Sequence, residues 1–312
     1  MVAGLVALGR RQSPRPSAAT VARSSRPPAT LAVMIPPASG RADLTAYTGA
    51  GTWVDAFDFS PAHSRTGSPT VTPATVDAMA DAGVRTLYIQ SARPADPLAP
   101  GDLLEPGLLG QFLARAHGRG MRVVAWYLPQ LSDLEADLRH VSASLDFSSG
   151  GHRFDGFGLD IEWRAGVPDP ATRSARLVEL SRRIRTVAGD RPISAIVLPP
   201  VLIEVVNPAY WPGFPWAGIA PYYDAWLPMG YWTDRTRASG YRDAALYTAD
   251  NVRRLRGHVG DVPIHVIGGI GDTATAAEYQ AFAGVCAEQG LLGCSVYDWD
   301  TSGAAPFAGL RG

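Results

Sequence analysis

The sequence predicts an α/β fold, a (β/α)8 TIM barrel that forms a single domain. Strand-like segments alternate with helix-like segments over about 250 residues, which is the pattern of this barrel. Several helix starts carry capping residues, as at Ser132-Asp133 and Asp169-Pro170, and glycines such as Gly120 follow predicted helices. An open doubly wound sheet is the alternative fold. No glycine-rich phosphate turn follows the first strand, and this favours the barrel.

The predicted elements follow one another in a regular order. Strands are expected at 52–59, 86–90, 122–127, 156–162, 193–197, 225–231, 264–268 and 293–299, and helices at 73–82, 107–118, 133–145, 171–188, 244–256 and 274–289. No helix is predicted between the fifth and sixth strands, where a regular barrel has one, because residues 202–223 are rich in Pro, Trp and Gly. We interpret that segment as a long loop at the barrel mouth, and its aromatic residues are expected to determine specificity: Trp211, Phe214 and Trp216.

The first 48 residues differ in composition from the rest. A short apolar run at 2–9 precedes Arg10 and Arg11, and a tract rich in Pro, Ser, Ala and Arg follows. Such a tract buries too little apolar surface to offset ordering, so we predict a flexible leader at 1–48 and the barrel at 49–312. The apolar run is too short to span a bilayer, and no positive charge precedes it. Export to a secreted or cell-surface location is expected if the run is the end of a signal, and a cytoplasmic location stays open.

Composition excludes several classes of function. The chain has 312 residues, a net charge of −1 and 46% hydrophobic residues, so no basic excess is available to neutralise nucleic-acid phosphates. All 28 cationic residues are Arg. A Walker-type phosphate loop, a pyridoxal phosphate enzyme and a Schiff-base aldolase each need a lysine, so these three classes are excluded.

The cysteine, histidine and serine patterns predict neither a metal site nor a serine hydrolase. Cys286 and Cys294 lack a metal-ligand pattern and are interpreted as two small buried hydrophobic residues. The six histidines are scattered, and no pair has the local spacing of a zinc site. No serine lies in a nucleophile-elbow context.

One strand carries the candidate chemistry, the segment from Phe154 to Trp163. Its apolar residues alternate with Gly158, Asp160 and Glu162, so the acids share one face of the strand. In a TIM barrel the active site lies at the carboxyl ends of the strands. We therefore predict that Gly158, Asp160 and Glu162 point into the barrel and that both acids lie at its mouth.

Other strand ends are expected to add aromatic residues to this mouth. Met229 and Tyr231 share a face at the end of the sixth strand, and Trp299 follows the eighth. Tyr88 and Gln90 share a face on the second strand and are candidate pocket residues. Sugars stack on aromatic rings, and carboxyl groups catalyse glycosidic-bond cleavage, so this set is typical of a carbohydrate site.

The strand Asp155-Gly156-Phe157-Gly158-Leu159-Asp160-Ile161-Glu162 resembles the DGxDxDxE signature of family-18 glycoside hydrolases, the chitinase-like barrels. Met229-Gly230-Tyr231 is similar to that family's M-x-Y at the end of strand six, and Trp299 is similar to its strand-eight tryptophan. The resemblance spans residues 50 to 302.

The resemblance implies a role for each matching residue. Glu162 would be the general acid, and Asp160 would hold the 2-acetamido group, whose carbonyl oxygen is the nucleophile. Tyr231 would hydrogen-bond that group. No metal or cofactor is implied, and the expected partner is a polysaccharide or oligosaccharide. Residues expected to bind this substrate are Trp299, Met229, Tyr88, Gln90, Asp58 and Asp155.

Gly158 departs from the family pattern, which has an aspartate at that position. Without that aspartate the strand has no third carboxylate to relay charge, so activity is expected to be slower or directed at a different sugar. Two alternatives stay open. One is a carbohydrate-binding barrel with weak catalysis. The other is a two-carboxylate hydrolase using Asp58, because the acid on strand one together with Asp160 and Glu162 also resembles family-25 lysozyme-like barrels. Asp298 is out of phase with Trp299 and is expected to face away from the mouth.

Overall fold

Eight parallel strands form the barrel, as the alternating pattern predicts. The computed structural model describes residues 42–94, 98, 101–271 and 273–310. The strands are β1 (Gly49–Val54), β2 (Thr86–Gln90), β3 (Arg122–Tyr127), β4 (Gly156–Ile161), β5 (Ile193–Val197), β6 (Ala225–Pro228), β7 (His265–Ile270) and β8 (Gly293–Tyr297). Sequential strands pair from β1 to β6, and β8 pairs with both β1 and β7. Parallel bridges Trp226–Ile264 and Met229–Ile267 join β6 to β7 and complete the ring.

Helices connect the strands on the outside of the ring. They are α1 (Ala56–Phe59), α2 (Thr75–Asp81), α3 (Pro106–Gly118), α4 (Leu134–Asp146), α5 (Pro170–Ala188), α6 (Trp216–Ile219), α7 (Ala244–Val259), α8 (Ala276–Glu288) and α9 (Trp299–Ser302). Asp133 caps α4 by accepting from two backbone N–H groups, and Asp169 caps α5 by accepting from Thr172 N. None of the helices that the structure describes is long and apolar enough to cross a membrane.

The connection after β5 lacks a full helix, as its composition predicts. A π-helical segment (Leu202–Val206), the single-turn helix α6 and a 3-10 turn (Ala220–Tyr222) replace it. Trp211, Phe214 and Trp216 are all buried there. They line a cleft of about 500 Å³ together with Glu204 and His258, and no mouth acid lines this cleft. The three aromatic side chains therefore provide the buried packing that a helix would provide at this position.

The folded part begins before residue 49. Thr45–Tyr47 forms a 3-10 turn, and the fully buried Tyr47 hydroxyl donates to the carbonyl oxygens of Phe157 (3.0 Å) and Pro192 (3.2 Å). A Cβ at Gly156 would lie 2.7 Å from that hydroxyl, so glycine is needed for this approach. Tyr47 thus fills the end of the barrel where the strands begin. Residues 1–41 of the predicted leader, including the apolar run 2–9, lie outside the described residues.

The barrel interior is filled by aromatic side chains rather than left hollow. Trp53 stacks on Tyr88 with ring centroids 4.4 Å apart and an interplanar angle of 9°, and it meets Trp126 edge-on at 6.0 Å. The Trp53 indole N–H donates to Ser295 Oγ at 2.9 Å. These contacts join residues from four strands, so they form a solid layer beneath the mouth.

Two expectations are wrong: the state of the two cysteines and the ends of the first and last strands. Cys286 and Cys294 form a disulfide, which joins the end of α8 to β8, instead of remaining two separate small residues. The fold brings their Cα atoms to 6.6 Å, a proximity that the short sequence separation allowed but did not require. The first and last strands also end earlier than predicted, because Asp55 and Asp298 are N-caps of α1 and α9.

Gly158 faces the barrel interior, as the alternation predicts, and a neighbouring strand fills the space beside it. A Cβ at this position would lie 2.7 Å from Ile196 Cδ1 and 3.1 Å from Ser194 Oγ. Ser194 and Ile196 are both buried. They belong to β5, where Ser194 pairs with Gly158 and Ile196 pairs with Asp160. The position therefore has no room for an aspartate while Ile196 keeps its present rotamer.

This packing predicts the effect of Gly158→Ala. The added methyl overlaps the end of Ile196, so the substitution is expected to lower the free energy of unfolding by about 1–3 kcal/mol. Ile196→Val alone costs about 0.5–1.5 kcal/mol because it leaves a small void. The double variant fills that void with the new methyl and should cost less than the sum of the two single variants. Urea unfolding of the four proteins measures this coupling, and additive costs would contradict the packing.

Candidate active site

The acids at the end of β4 lie at the mouth of the ring. Asp160 is 8% exposed, and its Oδ1 has no hydrogen-bond partner among the described residues. Glu162 follows the last strand residue, is partly buried, and accepts at its backbone oxygen from the Tyr210 hydroxyl at 3.4 Å. The alternation of the strand and the register with Ile196 direct Asp160 inward.

Burial changes the protonation of this pair. Desolvation, and then the charge of Glu162, raise the pKa of Asp160 well above its ordinary value. Burial also raises the pKa of Glu162. Two neighbouring carboxyls in a desolvated site hold on to a proton that a solvated pair would release. The pair is therefore able to donate a proton at a pH where ordinary carboxyls are ionised.

Tyr231 lies within electrostatic reach of both acids. Burial raises its pKa well above the ordinary value, and the charges of Glu162 and Asp160 raise it further. The phenol therefore keeps its proton and serves as a hydrogen-bond donor. Met229, two residues earlier, is buried and bridges to Ile267, and its backbone oxygen accepts from Tyr231 N at 3.0 Å.

A second acid cluster lies where β1 and β8 end. The carboxylate oxygens of Asp55, Asp58 and Asp298 lie within 4.8 Å of one another. Asp58 Oδ2 accepts from the backbone N–H of Asp55 at 2.9 Å, and the Tyr297 hydroxyl donates to Asp55 Oδ2 at 3.0 Å. Asp298 accepts from the backbone N–H and the hydroxyl of Thr301, each at 2.9 Å.

Two carboxyls of this second cluster also have raised pKa values. Burial, and then the charges of Asp55 and Asp298, raise the pKa of Asp58 to about 8. Burial raises the pKa of Asp298 as well. Three carboxyls at this spacing could instead hold a cation through their oxygen atoms. The expectation that Asp298 faces away is wrong, because the strand alternation stops at Tyr297.

Tyr297 supplies the aromatic ring that β8 contributes to the interior. Its ring centroid lies 5.9 Å from that of Tyr231 and 6.3 Å from that of Trp53. Trp299 instead lies in α9, is 7% exposed, and packs against Phe307 with centroids 5.7 Å apart. The alternation of β8 predicts that Tyr297 faces the interior, since Gly293, Ser295 and Tyr297 share a face.

The two candidates on β2 lie at different depths of the barrel. Tyr88 has no exposed surface and belongs to the stacked layer with Trp53. Gln90 is 4% exposed, and its Oε1 accepts from the backbone N–H of Ala56 at 2.9 Å. Gln90 therefore fixes the start of α1, the helix that carries Asp58.

Asp155 is placed at the opposite end of β4 from the mouth, which corrects the expectation that it binds substrate there. The six residues of β4 lie between it and Glu162, a span of roughly 20 Å. Its Oδ2 accepts from the backbone N–H of Val123 at 2.8 Å, and its Oδ1 forms an ion pair with Arg122 at 2.9 Å. These contacts and its neighbour His117 hold down the pKa of Asp155 against the effect of burial.

Loop residues complete the mouth in a way that sequence reasoning missed. The Arg164 guanidinium lies 4.5 Å from the centroid of the Tyr210 ring, beside Glu162. Trp163 is 38% exposed, so its ring is available to a ligand. Burial raises the pKa of Asp234 in the loop after β6. Asp272 lies outside the described residues.

Comparison with known proteins shows the fold. No family model and no curated protein matches this sequence. A class V chitinase from Pseudomonas fluorescens Pf-5 is 10% identical, with a TM-score of 0.59 over 85% of this chain and 98% of that one. A chitinase from Chromobacterium violaceum ATCC 12472 is 12% identical, with a TM-score of 0.56 over 85% and 98%. An endo-1,4-beta-D-mannanase from Thermotoga petrophila RKU-1 is 12% identical, with a TM-score of 0.59 over 81% and 88%. The chain shares its TIM barrel with these glycan-cleaving enzymes.

Proposed function

We propose that this barrel is a glycoside hydrolase that cleaves a glycan containing N-acetylated sugars. The acid pair carries the proposal: Asp160 and Glu162 have raised pKa values at the mouth, beside the protonated phenol of Tyr231. Cleavage of a glycosidic bond needs a carboxyl that keeps its proton near neutral pH. Chitinases and a mannanase share this barrel, which is consistent with a glycoside hydrolase. Because one fold hosts many functions, the assignment itself is argued from the site.

The first step of the proposed reaction breaks the glycosidic bond. The Glu162 carboxyl gives its proton to the bridging oxygen, and the bond between that oxygen and C1 breaks. The carbonyl oxygen of the sugar's own 2-acetamido group bonds to C1, which makes a second enzyme carboxylate unnecessary. Asp160 accepts the acetamido N–H, for which its unpartnered Oδ1 is suited, and Tyr231 donates to the acetamido oxygen.

The second step restores the sugar and the enzyme. Glu162, now a carboxylate, takes a proton from water while the water oxygen bonds to C1. The bond from C1 to the acetamido oxygen breaks, and Glu162 regains the proton that it donated. The step needs no further reactant. Stacking of sugar faces on Tyr231, Tyr297 or the exposed Trp163 would orient the substrate.

The glycine at position 158 limits this chemistry without damaging the site. Ile196 fills the space beside it, so the residue that would relay charge in a family-18 enzyme is replaced by apolar packing. Asp160 then interacts with Glu162 and with no third carboxylate on this strand. We therefore expect either slower turnover than in typical family-18 enzymes or a preference for another N-acetylated sugar. We also propose that the substrate is an extracellular polymer and the chain an exported enzyme.

The pKa of Asp58 favours one second candidate, a two-carboxylate hydrolase. A carboxyl with a pKa of about 8 is a competent proton donor. Asp58 follows β1, three strands around the ring from β4, which leads to Glu162. In that mechanism Asp58 and Glu162 would act on opposite sides of the bond. The predictions below separate the two candidates.

Removing the proton of Glu162 tests the proposal directly. Glu162→Gln should lower kcat on N-acetylhexosamine oligosaccharides by about 10²–10⁴-fold with little change in KM, because an amide cannot protonate the leaving oxygen. Glu288→Gln on the exposed end of α8 is the matched control and should retain full activity. Initial rates of product release measure both. Unchanged turnover in Glu162→Gln would exclude the proposed role, and binding without any product from the natural chain would favour the carbohydrate-binding barrel.

The acetamido group is tested by a pair of substrates. The same oligosaccharide is offered with its amino groups acetylated and with them free. Only the acetylated form should be cleaved, because a free amine has no carbonyl oxygen to attack C1. Equal rates on the two forms would contradict acetamido assistance and favour the two-carboxylate hydrolase.

Asp58→Asn distinguishes the candidates through both activity and stability. Activity at pH 6 should stay within a few-fold of the natural chain under the acetamido mechanism and fall by about 10²–10⁴-fold under the two-carboxylate one. The folded state keeps the Asp58 proton up to about pH 8, whereas the unfolded chain releases it near 3.8, so this residue lowers stability as pH rises between those values.

The stability of Asp58→Asn should therefore depend less on pH than that of the natural chain. The difference in slope is at most about 1.4 kcal/mol per pH unit. Urea unfolding between pH 4 and pH 8 measures it, with Asp261→Asn on the exposed surface as the control. Identical slopes in all three proteins would contradict the raised pKa of Asp58.

A further inference from the structure

The end of the barrel opposite the mouth brings two histidines together. His117 lies in the last turn of α3, and His152 begins the second strand of a short hairpin that pairs Ser148–Ser149 with His152–Arg153. Their Nδ1 atoms are 2.9 Å apart, and their ring centroids are 5.0 Å apart. The residues are 35 positions apart in the sequence, so local spacing gave no sign of this pair.

A carboxylate fixes the orientation of one of these rings. Asp155 Oδ2 lies 2.8 Å from His117 Nε2, and Asp155 is itself held by Arg122 and by the backbone N–H of Val123. An ionised carboxylate only accepts, so His117 Nε2 carries the hydrogen. The Nδ1 of a neutral His117 then presents its lone pair to His152. A histidine that ligates a metal through one nitrogen while donating from the other to a carboxylate is a recurrent feature of metal sites.

The two facing nitrogens can hold one cation after a small movement of the rings. Two N–H groups cannot face each other at this distance, so the rings share a single proton. Tetrahedral zinc bonds to imidazole nitrogen at about 2.0–2.1 Å, which requires nitrogens about 3.4 Å apart. The rings need to separate by about half an ångström, and His152 follows Gly150 and Gly151, which have positive φ angles at the hairpin turn.

We infer that His117 and His152 form a site for a divalent transition-metal ion of the zinc class. Both ring Nδ1 atoms are the protein ligands, Asp155 orients His117, and water completes the coordination. The His117 side chain is 21% exposed, so an ion reaches the site from solvent. Bound metal joins α3 to the hairpin that leads into β4, the strand with the mouth acids. The site is independent of the proposed glycan cleavage.

Zinc titration of the full chain, freed of metal by chelation, tests the inference. Calorimetry should show one zinc per chain, bound by two neutral imidazoles, with the Nδ1 hydrogen of His152 transferred to its Nε2. The melting temperature should rise with zinc and return after chelation. His152→Ala should lose this binding, and Asp155→Asn should weaken it by about 10–100-fold. His258→Ala, which alters the histidine paired with Glu204, is the matched control and should bind as the natural chain does.

Two results would overturn the inference. One is no zinc uptake by the natural chain at millimolar zinc. The other is uptake that His152→Ala leaves unchanged, which would place the metal elsewhere, for example at Asp55, Asp58 and Asp298. If Asp155→Asn does not fold, His152→Ala still decides the question, because it removes a ligand while the contacts of Asp155 with Val123 and Arg122 remain.

Discussion

The constraint on which the mouth depends is the burial of carboxyl groups that no cation compensates. Among the ion pairs of the described residues, none involves Asp160, Glu162 or Asp58. A buried carboxylate without a counter-charge is costly, so the free energy of desolvation favours the protonated form. The mouth acids therefore retain protons, whereas acids elsewhere, such as Asp77, Asp224 and Asp250, are paired with arginine. Proton storage is the property that acid catalysis uses, and here it follows from burial.

Packing beneath the mouth explains how these acids stay buried. The stacked pair Trp53 and Tyr88 closes the interior from below, and Tyr47 fills the far end. Ile196 covers Gly158, so apolar atoms lie one pleat below Asp160. This packing closes the interior below the acids. Gly158 belongs to the same packing that buries Asp160.

Sequence patterns predicted the interior of the strands and failed at their ends. Alternation within β4 correctly assigned Gly158 and Asp160 to the inside, because a strand has a fixed period of two. The period ends where a capping aspartate starts a helix, so the facing of Asp298 and the strand-eight aromatic residue were predicted from a strand that stops at Tyr297. Asp155 was also expected to bind substrate, although the six residues of β4 separate it from Glu162 and carry it to the opposite end of the barrel. Contacts such as His117 with His152 depend on the closed ring, which no local pattern records.

Hydrogen bonding separates the two acid groups at the mouth. The cluster of Asp55, Asp58 and Asp298 is satisfied from within the chain by the Tyr297 hydroxyl, a backbone N–H and Thr301. Asp160 has a buried oxygen with no such partner. A buried acceptor without a donor costs free energy, and a substrate N–H recovers it on binding. The rings of Tyr231 and Tyr297 lie 5.9 Å apart, and the charges of Asp160 and Asp298 both act on the Tyr231 phenol. Under the proposed mechanism the unsatisfied oxygen of Asp160 is the acceptor that an acetamido N–H would meet.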